Sequence, residues 1–333
     1  MPDPEAVARH PILGQAVDMH AHFLSDGYRK ALRAAGVDAL DGMPTGIPRW
    51  TEGLALDLMD EVGIAMSVLS ISSPGVLLEA DDARAVLLAS QVNDEAAEIS
   101  RAHPDRFGFV ATLPLPDVDA SIAEIDRAMG ELSARGVLLL TNYRGHYLGD
   151  TRFDPIFQEL QRRGSVAVLH PTSPCGGSSI APGYPPPLLE FIFDTTRAVV
   201  NLALSRTIDR NPGIRFVVPH GGAALPALVD RVDRVAGTLS RAAGRDPVDV
   251  RSALRRLHYD VAGGTPEGII PALLRMAGPD RLLYGSDYPF TPRSRVTDLA
   301  ALLRDTDVLS EHERHGVLGA NARRLLDRGV RSA

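Results

Sequence analysis

The sequence has a single cysteine, almost no lysine and no long apolar run. Cys175 is the single cysteine among 333 residues, so the chain cannot form an internal disulfide. The lack of an internal disulfide fits a reducing compartment. The longest apolar runs, such as Val137–Leu140 and Ile269–Leu274, are far too short to span a bilayer. The segment Met1–Arg9 has neither a positively charged start nor an apolar core. We therefore predict no signal peptide, no membrane partner and a cytoplasmic protein.

The sequence also lacks the charge pattern of a nucleic-acid-binding protein. Its 35 Lys and Arg residues are outnumbered by 42 Asp and Glu residues, giving a formal net charge of −7. Arginine is interspersed with acidic residues throughout, and no basic stripe is visible. We therefore expect no nucleic-acid partner. A hydrophobic content of 44% is ordinary for a globular protein with a sizeable core.

Short apolar runs alternate with helical patterns along the chain. Eight runs look like strands buried on both faces, since most are continuously apolar. These runs are Ala16–Met19, Met66–Ile71, Phe107–Leu113, Val137–Leu140, Val166–Leu169, Arg215–Val218, Leu257–Val261 and Arg281–Tyr284. The helical patterns are Leu54–Val62, Asp82–Ala102, Val118–Ala134, Phe153–Arg163, Leu188–Arg206, Ala224–Leu239, Pro266–Met276 and Asp298–Leu303. This alternation predicts an α/β fold, a (β/α)₈ TIM barrel forming one domain over residues 1–333.

Two long stretches interrupt the repeat. Residues 23–51 follow the first strand and include an irregular segment rich in Gly and Pro, and residues 171–187 follow the fifth strand. Loops longer than about 15 residues in a compact domain are usually lids, binding loops or disordered segments. Both stretches leave the barrel at the end where the motifs described next are found. We therefore predict a small insertion or lid at 23–51 and a pocket loop at 171–187.

Histidine or aspartate occurs at the ends of four of the predicted strands. The motifs are Asp18-Met-His-Ala-His22, His170-Pro171, His220-Gly-Gly222 and Gly285-Ser-Asp-Tyr-Pro-Phe290. The carboxyl ends of barrel strands are where active sites lie. In a strand, His20 and His22 point to one face because side chains alternate. Several imidazoles converging with a carboxylate predict a bound divalent metal ion, and hence a metal-dependent enzyme.

The individual residues are less decisive than their combination. His170 ends a strand just before a proline, which fits a metal ligand. His220 precedes two glycines and is a candidate for a fourth histidine ligand, a general acid–base group or a hydrogen-bond donor to substrate. Asp287 alone would more often be a turn residue or a helix N-cap.

Together the four motifs resemble the amidohydrolase superfamily. They are most similar to its decarboxylase branch, typified by aminocarboxymuconate semialdehyde decarboxylase, in order and spacing over nearly the whole chain. Two further segments, Leu69–Gly75 and Leu189–Arg197, look like salicylate-type decarboxylases such as those acting on 6-methylsalicylate. The glutamate-first variant of the resorcylate decarboxylases is absent, since His20 occupies that place.

The resemblance implies a metal site and a dimer. His20, His22, His170 and Asp287 would bind one divalent ion, zinc or alternatively manganese, and His220 would be the catalytic acid–base group. Arg231 looks like the family arginine that reaches into the neighbouring subunit's site, which implies a homodimer.

The predicted substrate is a small aromatic acid of the ortho-hydroxybenzoate type, similar to 6-methylsalicylate, which loses carbon dioxide without oxidation. Either Asp287 or His220 would supply the proton to the ring, and Arg49 or Arg231 would hold a carboxylate by a forked contact. The aromatic side chains predicted to wall the ring are those of Phe23, Trp50, Tyr184, Phe191 and Phe290.

Two other functions compete with this one. A mononuclear hydrolase or hydratase would use the same ion to activate water against a lactone, an amide or an unsaturated acid. Binuclear hydrolases of the superfamily carry a carboxylated lysine after the fourth strand, but Thr141–Arg144 has no lysine, so a single-metal site is expected. A catalytically silent metal-binding barrel would have lost a ligand or the acid–base group, and neither is missing.

Overall fold

A ring of parallel strands forms the centre of the molecule in a computed structural model that describes residues 13–78, 81–176, 183–244 and 246–327. The strands are β1 (Ala16–His22), β2 (Ile64–Ser70), β3 (Phe107–Phe109), β4 (Ala111–Thr112), β5 (Val137–Leu140), β6 (Asn142–Tyr143), β7 (His146–Tyr147), β8 (Val166–His170), β9 (Arg215–Val218), β10 (His258–Asp260) and β11 (Leu282–Leu283). Strands β6 and β7 pair with each other as an antiparallel hairpin. Every residue of β1, β5 and β8 is buried, which explains why β5 and the first four residues of β8 form continuous apolar runs.

The predicted third strand is divided into two short strands. β3 pairs with β2, while β4 pairs with β5, so the two halves face different neighbours. Between them, the Val110 N–H donates to the carbonyl oxygen of Leu69 at 3.0 Å. The side chain of Asn93 holds β4 in place, since its amide nitrogen donates to the Thr112 carbonyl and its oxygen accepts from the Thr112 N–H, both at 2.9 Å. β3 and β4 are therefore consecutive parts of one barrel strand.

The ring closes between its first and last strands. The Asp287 N–H donates to the carbonyl oxygen of His20 at 2.7 Å, and the His22 N–H donates to that of Tyr288 at 2.7 Å. The remaining order is β11-β10-β9-β8-β5-β4 in one sheet and β1-β2-β3 in the other. With β3 and β4 taken as one strand, the predicted (β/α)₈ barrel is confirmed.

Helices surround the barrel. In chain order they are α1 (Asp26–Ala34), α2 (Glu52–Val62), α3 (Asp82–Ala102), α4 (Val118–Gly130), α5 (Asp154–Arg163), α6 (Glu190–Leu204), α7 (Thr207–Arg210), α8 (Leu225–Ala242), α9 (Val250–Arg255), α10 (Pro266–Met276), α11 (Arg293–Asp305), α12 (Glu311–His315) and α13 (Asn321–Asp327). α3 and α10 begin and end at the predicted residues. Thr51 is the N-cap of α2, and Asp81 is the N-cap of α3. The side chain of each accepts a hydrogen bond from a backbone N–H group in the first turn of its helix. None of the helices in the described part of the chain is long and apolar enough to cross a membrane.

The segment 23–51 folds against the carboxyl ends of the strands. It contains α1, which the sequence did not predict, and a tight turn at Leu40–Gly42. The Tyr28 hydroxyl donates to the carbonyl oxygen of Gly75 at 2.7 Å, which ties α1 to the loop after β2. In the predicted pocket loop 171–187, residues 177–182 lie outside the described residues.

Candidate metal centre

Four side chains converge where β1, β8 and the loop after β11 meet. His20 and His22 alternate with buried apolar residues along β1, so both project toward the axis of the barrel, and their Nε2 atoms are 3.1 Å apart. Asp287 Oδ1 lies 3.1 Å from His22 Nε2 and 3.5 Å from His20 Nε2. With His170, each residue offers one ligand atom, and all four atoms lie within 4.8 Å of one another. We refer to these four residues as the cluster.

The other ring nitrogen of each histidine is held by a hydrogen bond. His20 Nδ1 lies 2.9 Å from Asp260 Oδ2, His22 Nδ1 lies 3.1 Å from Ser70 Oγ, and His170 Nδ1 lies 2.7 Å from the Pro171 carbonyl oxygen. Such contacts fix the tautomer and the ring orientation of a metal-binding histidine. All three Nε2 atoms are therefore available to a ligand at the cluster.

Burial and neighbouring charge set the protonation of the cluster. Burial lowers the pKa of His22, and it lowers the pKa of His170 well below the ordinary histidine value. Burial alone would raise the pKa of Asp287, but the nearby imidazoles of His22 and His220 hold it well below its ordinary value. Neutral imidazoles and an ionised carboxylate are the forms that bind a metal ion. His20 differs, since burial opposes its charge but Asp260 raises its pKa to about 9, so an ion would displace a proton there.

The spacing of the cluster suits a divalent ion. Donor atoms around a tetrahedral zinc ion with ligand distances of about 2.0–2.1 Å lie about 3.3 Å apart. The separations of 3.1, 3.1 and 3.5 Å among His20, His22 and Asp287 agree with that value, and the donor atom of His170 lies within 4.8 Å of each of the other three. A set of three imidazoles and one carboxylate suits zinc or manganese. The residues present therefore fit one divalent ion.

His220 lies beside the cluster in an unusual turn. Its φ is 55°, and Gly221 and Ala223 also have positive φ values of 63° and 56°. This turn places His220 Nε2 at 3.7 Å from Asp287 Oδ2, close but too far for a hydrogen bond. Its ring centroid is 4.9 Å from that of His20. His220 therefore contacts the cluster without being one of the four grouped residues.

Asp260, at the end of β10, organises both the cluster and His220, although sequence reasoning did not single it out. This fully buried carboxylate binds the His20 ring through Oδ2. Its Oδ1 accepts the backbone N–H groups of His220 and Ala262, each at 3.0 Å. One side chain thus orients a proposed ligand and the proposed acid–base group.

Asp260→Asn is expected to weaken metal binding by about 10- to 100-fold, since loss of a ligand's hydrogen-bonding partner has effects of that size. The asparagine has one acceptor oxygen for the His20 ring and the backbone N–H groups, so at least one contact is lost. Competition with a chromophoric chelator would measure the affinity, with Asp280→Asn as the control because that aspartate is 65% exposed. Equal affinity in Asp260→Asn and the wild type would remove Asp260 from this role.

A cavity of about 500 Å³ opens onto the cluster. Its floor includes His170, His220 and Asp287, and Phe191 and Phe290 are among its walls. The Phe290 ring lies edge-on to the ring of His22 with centroids 5.2 Å apart. The segment 23–51 supplies part of the wall through Leu40, Asp41, Met43, Thr45, Gly46 and Pro48. No arginine or lysine is among the described residues that line the cavity.

Five predicted substrate contacts lie elsewhere in this chain. Phe23 and Trp50 are buried and pack against each other with ring centroids 6.1 Å apart, as part of the hydrophobic core. Arg49 is exposed on the surface, as is Arg231 on α8. Tyr184 is 55% exposed. The structure therefore does not bring these side chains to the cavity of a single chain, and their roles in substrate binding remain predictions.

Comparison with known proteins agrees with this architecture. The amidohydrolase family model matches residues 17–328. The 6-methylsalicylic acid decarboxylase of Penicillium expansum is 34% identical over 319 residues, which cover 94% of each chain. A solved amidohydrolase II structure superposes with a TM-score of 0.87 at 33% identity, covering 94% of this chain and 99% of that one. A 2,6-dihydroxybenzoate decarboxylase, solved in complex with 2,6-dihydroxybenzoate, superposes with a TM-score of 0.75 at 25% identity, covering 94% and 98%. The family model spans nearly the whole chain, and the chain therefore belongs to the amidohydrolase family.

Proposed function

We propose that this protein is a metal-dependent decarboxylase of a small ortho-hydroxybenzoate-type acid similar to 6-methylsalicylate. The observation that carries the proposal is the convergence of three imidazoles and a carboxylate at the floor of a cavity with phenyl groups in its walls. Two of the similar proteins support the choice of substrate. One is named for 6-methylsalicylic acid and the other contains 2,6-dihydroxybenzoate, and both compounds carry a hydroxyl group beside the carboxylate.

His20, His22, His170 and Asp287 are proposed to hold one divalent ion, zinc or alternatively manganese. When bound, such an ion would orient the acid and draw electron density from it. Phe191 and Phe290 would pack against the aromatic ring and fix its orientation above the cluster. Their contacts with the rings of His170 and His22 place them at the boundary between cavity and cluster.

The chemistry that the residues perform is the delivery of a proton. Decarboxylation without oxidation adds a proton to the ring carbon that bears the carboxylate. The bond to the carboxylate then breaks, its electron pair restores the aromatic ring, and carbon dioxide leaves. The side chains of His220 and Asp287 are 14% and 19% exposed, so both are reachable from the cavity. We propose His220 as the acid–base group, with Asp287 as the alternative donor.

A homodimer would supply a cation, which the described lining of the cavity in a single chain does not contain. The described lining contains no arginine or lysine, yet the substrate is an anion. Arg231 is exposed on α8, where a second copy could bring it to the neighbouring site, while Arg49 remains the candidate within the same chain. Light scattering would test this proposal, since a monomer would remove Arg231 from the site.

A cytoplasmic location also remains a prediction.

Release of carbon dioxide from a panel of ortho-hydroxybenzoates would test the proposed function. The metal content of the protein is first measured, and 6-methylsalicylate is included in the panel. We expect release that stops with a chelator and returns when the divalent ion is restored. If metal-loaded protein released no carbon dioxide but opened lactones, the mononuclear hydrolase would be the correct function.

A further inference from the structure

One ionisable group in the cavity takes no part in the proposed reaction. Among the described lining residues, the ionisable side chains are those of Asp41, His170, His220 and Asp287. The last three belong to the reactive floor. Asp41 comes from the tight turn at Leu40–Gly42 in the segment 23–51, so it belongs to a different wall.

The carboxylate of Asp41 is held in place by two hydroxyl groups. Its Oδ1 accepts hydrogen bonds from Ser73 Oγ at 2.9 Å and from Ser173 Oγ at 2.7 Å. The Ser73 hydroxyl also lies 2.9 Å from Thr172 Oγ1. These partners follow β2 and β8, so Asp41 is fixed against two separate loops of the barrel rather than held by its own turn.

The second oxygen of Asp41 is left for a ligand. Both serine hydroxyls bind Oδ1, and no hydrogen bond or ion pair to Oδ2 occurs within the described part of the chain. Burial raises the pKa of Asp41, and the hydroxyls of Ser173 and Ser73 oppose that rise in part. A polar atom in a largely apolar cavity is stabilised when it gains a hydrogen-bond partner. Asp41 therefore lines the cavity with a carboxylate whose Oδ2 has no donor among the described residues.

We propose that Asp41 determines substrate specificity by accepting a hydrogen bond from a second substituent on the ring. The preferred acid then carries a hydroxyl or amino group besides the ortho-hydroxyl, and no second carboxylate. A second anionic group would face like charge in a cavity whose described lining has no arginine or lysine. This inference deepens the proposed function and rests on it for the reaction, but it concerns another wall of the same cavity.

The backbone at Asp41 indicates which substitution to make. Its φ is 47°, in the left-handed region that aspartate and asparagine tolerate better than other side chains. Asp41→Asn therefore keeps the turn and one acceptor oxygen for the serines. It removes the negative charge and places an amide donor where Oδ2 was. The variant should thus remove the preference of this wall for a hydrogen-bond donor on the substrate, without unfolding the turn.

The experiment measures binding and turnover separately, on metal-loaded protein. Dissociation constants are obtained by calorimetry for salicylate, for salicylates with a second hydroxyl at each free ring position, for 5-aminosalicylate, and for hydroxybenzoates with a second carboxylate. Carbon dioxide release is measured for the same acids. Ser173→Ala is the matched control, because it removes one hydroxyl partner and leaves the charge of Asp41 in place.

In the wild type, we expect at least one acid with a further donor to bind at least about tenfold tighter than salicylate, and the dicarboxylates at least about tenfold weaker. Asp41→Asn should bring the donor-bearing acids and salicylate within about threefold of each other and improve binding of a dicarboxylate. Ser173→Ala should keep the wild-type order.

If Asp41→Asn changed the dissociation constants of all acids by the same factor, or left the order of their affinities unchanged, the inference would be overturned. Asp41 would then have a structural role. If carbon dioxide were released but the order of affinities were the same in the wild type and Asp41→Asn, only the inference would be wrong. If Asp41→Asn changed the order of affinities but no acid released carbon dioxide, only the proposed function would be wrong. If no acid bound the metal-loaded protein, both would be wrong.

Discussion

The His170→Ala variant is expected to lose metal binding and at least about 10³-fold of its decarboxylation rate, because the proposed ion would supply charge stabilisation worth several kcal/mol. His170 contributes one of four donor atoms that lie within 4.8 Å of each other. With alanine at this position, the cluster keeps two imidazoles and a carboxylate and has a gap on the side of β8. Elemental analysis after gel filtration would measure the metal, and carbon dioxide release would measure the rate.

His312→Ala is the control for this variant, because His312 is exposed on α12, away from the cluster. It should keep the metal content and rate of the wild type. Circular dichroism would show that both variants fold. If folded His170→Ala retained one ion per chain, the proposed set of ligands would have to be withdrawn.

The His220→Asn variant should keep the metal ion but lose about 10²- to 10⁴-fold in turnover, the range typical for removal of a general acid–base group. Asparagine suits this position for a specific reason. His220 has a φ of 55°, and asparagine is one of the few residues that adopt such a conformation readily. The backbone N–H would also keep its hydrogen bond to Asp260. The substitution should therefore remove the imidazole with little disturbance of the turn.

His146→Asn is the matched control for the loss of an imidazole near the same end of the barrel. His146 lies in the β6–β7 hairpin, its side chain is 41% exposed, and it does not line the cavity in the described structure. Near wild-type turnover in metal-loaded His220→Asn would exclude His220 as the proton donor. Asp287 would then take that role.

Much of the fold follows from the sequence, because strands buried on both faces are continuously apolar. The division of the third strand could not be predicted in this way. The run 107–113 is apolar apart from Gly108 and Thr112, neither of which is at Val110, and the break there depends on which neighbouring strand each half meets. Helix α1 was also missed, because the Gly and Pro residues at 42–48 indicate irregular structure and the short helix precedes them in the same segment.

The residues of the cluster could be predicted because each lies at the end of a strand or just after one. Asp260 has the same kind of position, but nothing in the sequence indicates that its carboxylate meets the ring of His20 across the barrel. Phe23 and Trp50 are near the motifs in sequence, yet their rings pack into the core. The spacing of residues along the sequence does not indicate which way a side chain points once a strand has ended.

The bonds that close the barrel have a consequence for how the protein is made. His20 and Asp287 are joined by a backbone hydrogen bond and also meet in the cluster, and most of the chain lies between them. During synthesis, His20 and His22 of β1 leave the ribosome before Asp287, which follows the final strand. The two histidines can contact Asp287 only after that strand has been made. The nascent chain therefore has no complete cluster, and an ion that needs all four residues would bind only after β11 and the loop after it have been made. The ion would then link the first and last strands in addition to their hydrogen bonds. Binding of the ion would therefore stabilise the closed barrel relative to forms in which these strands have not yet met.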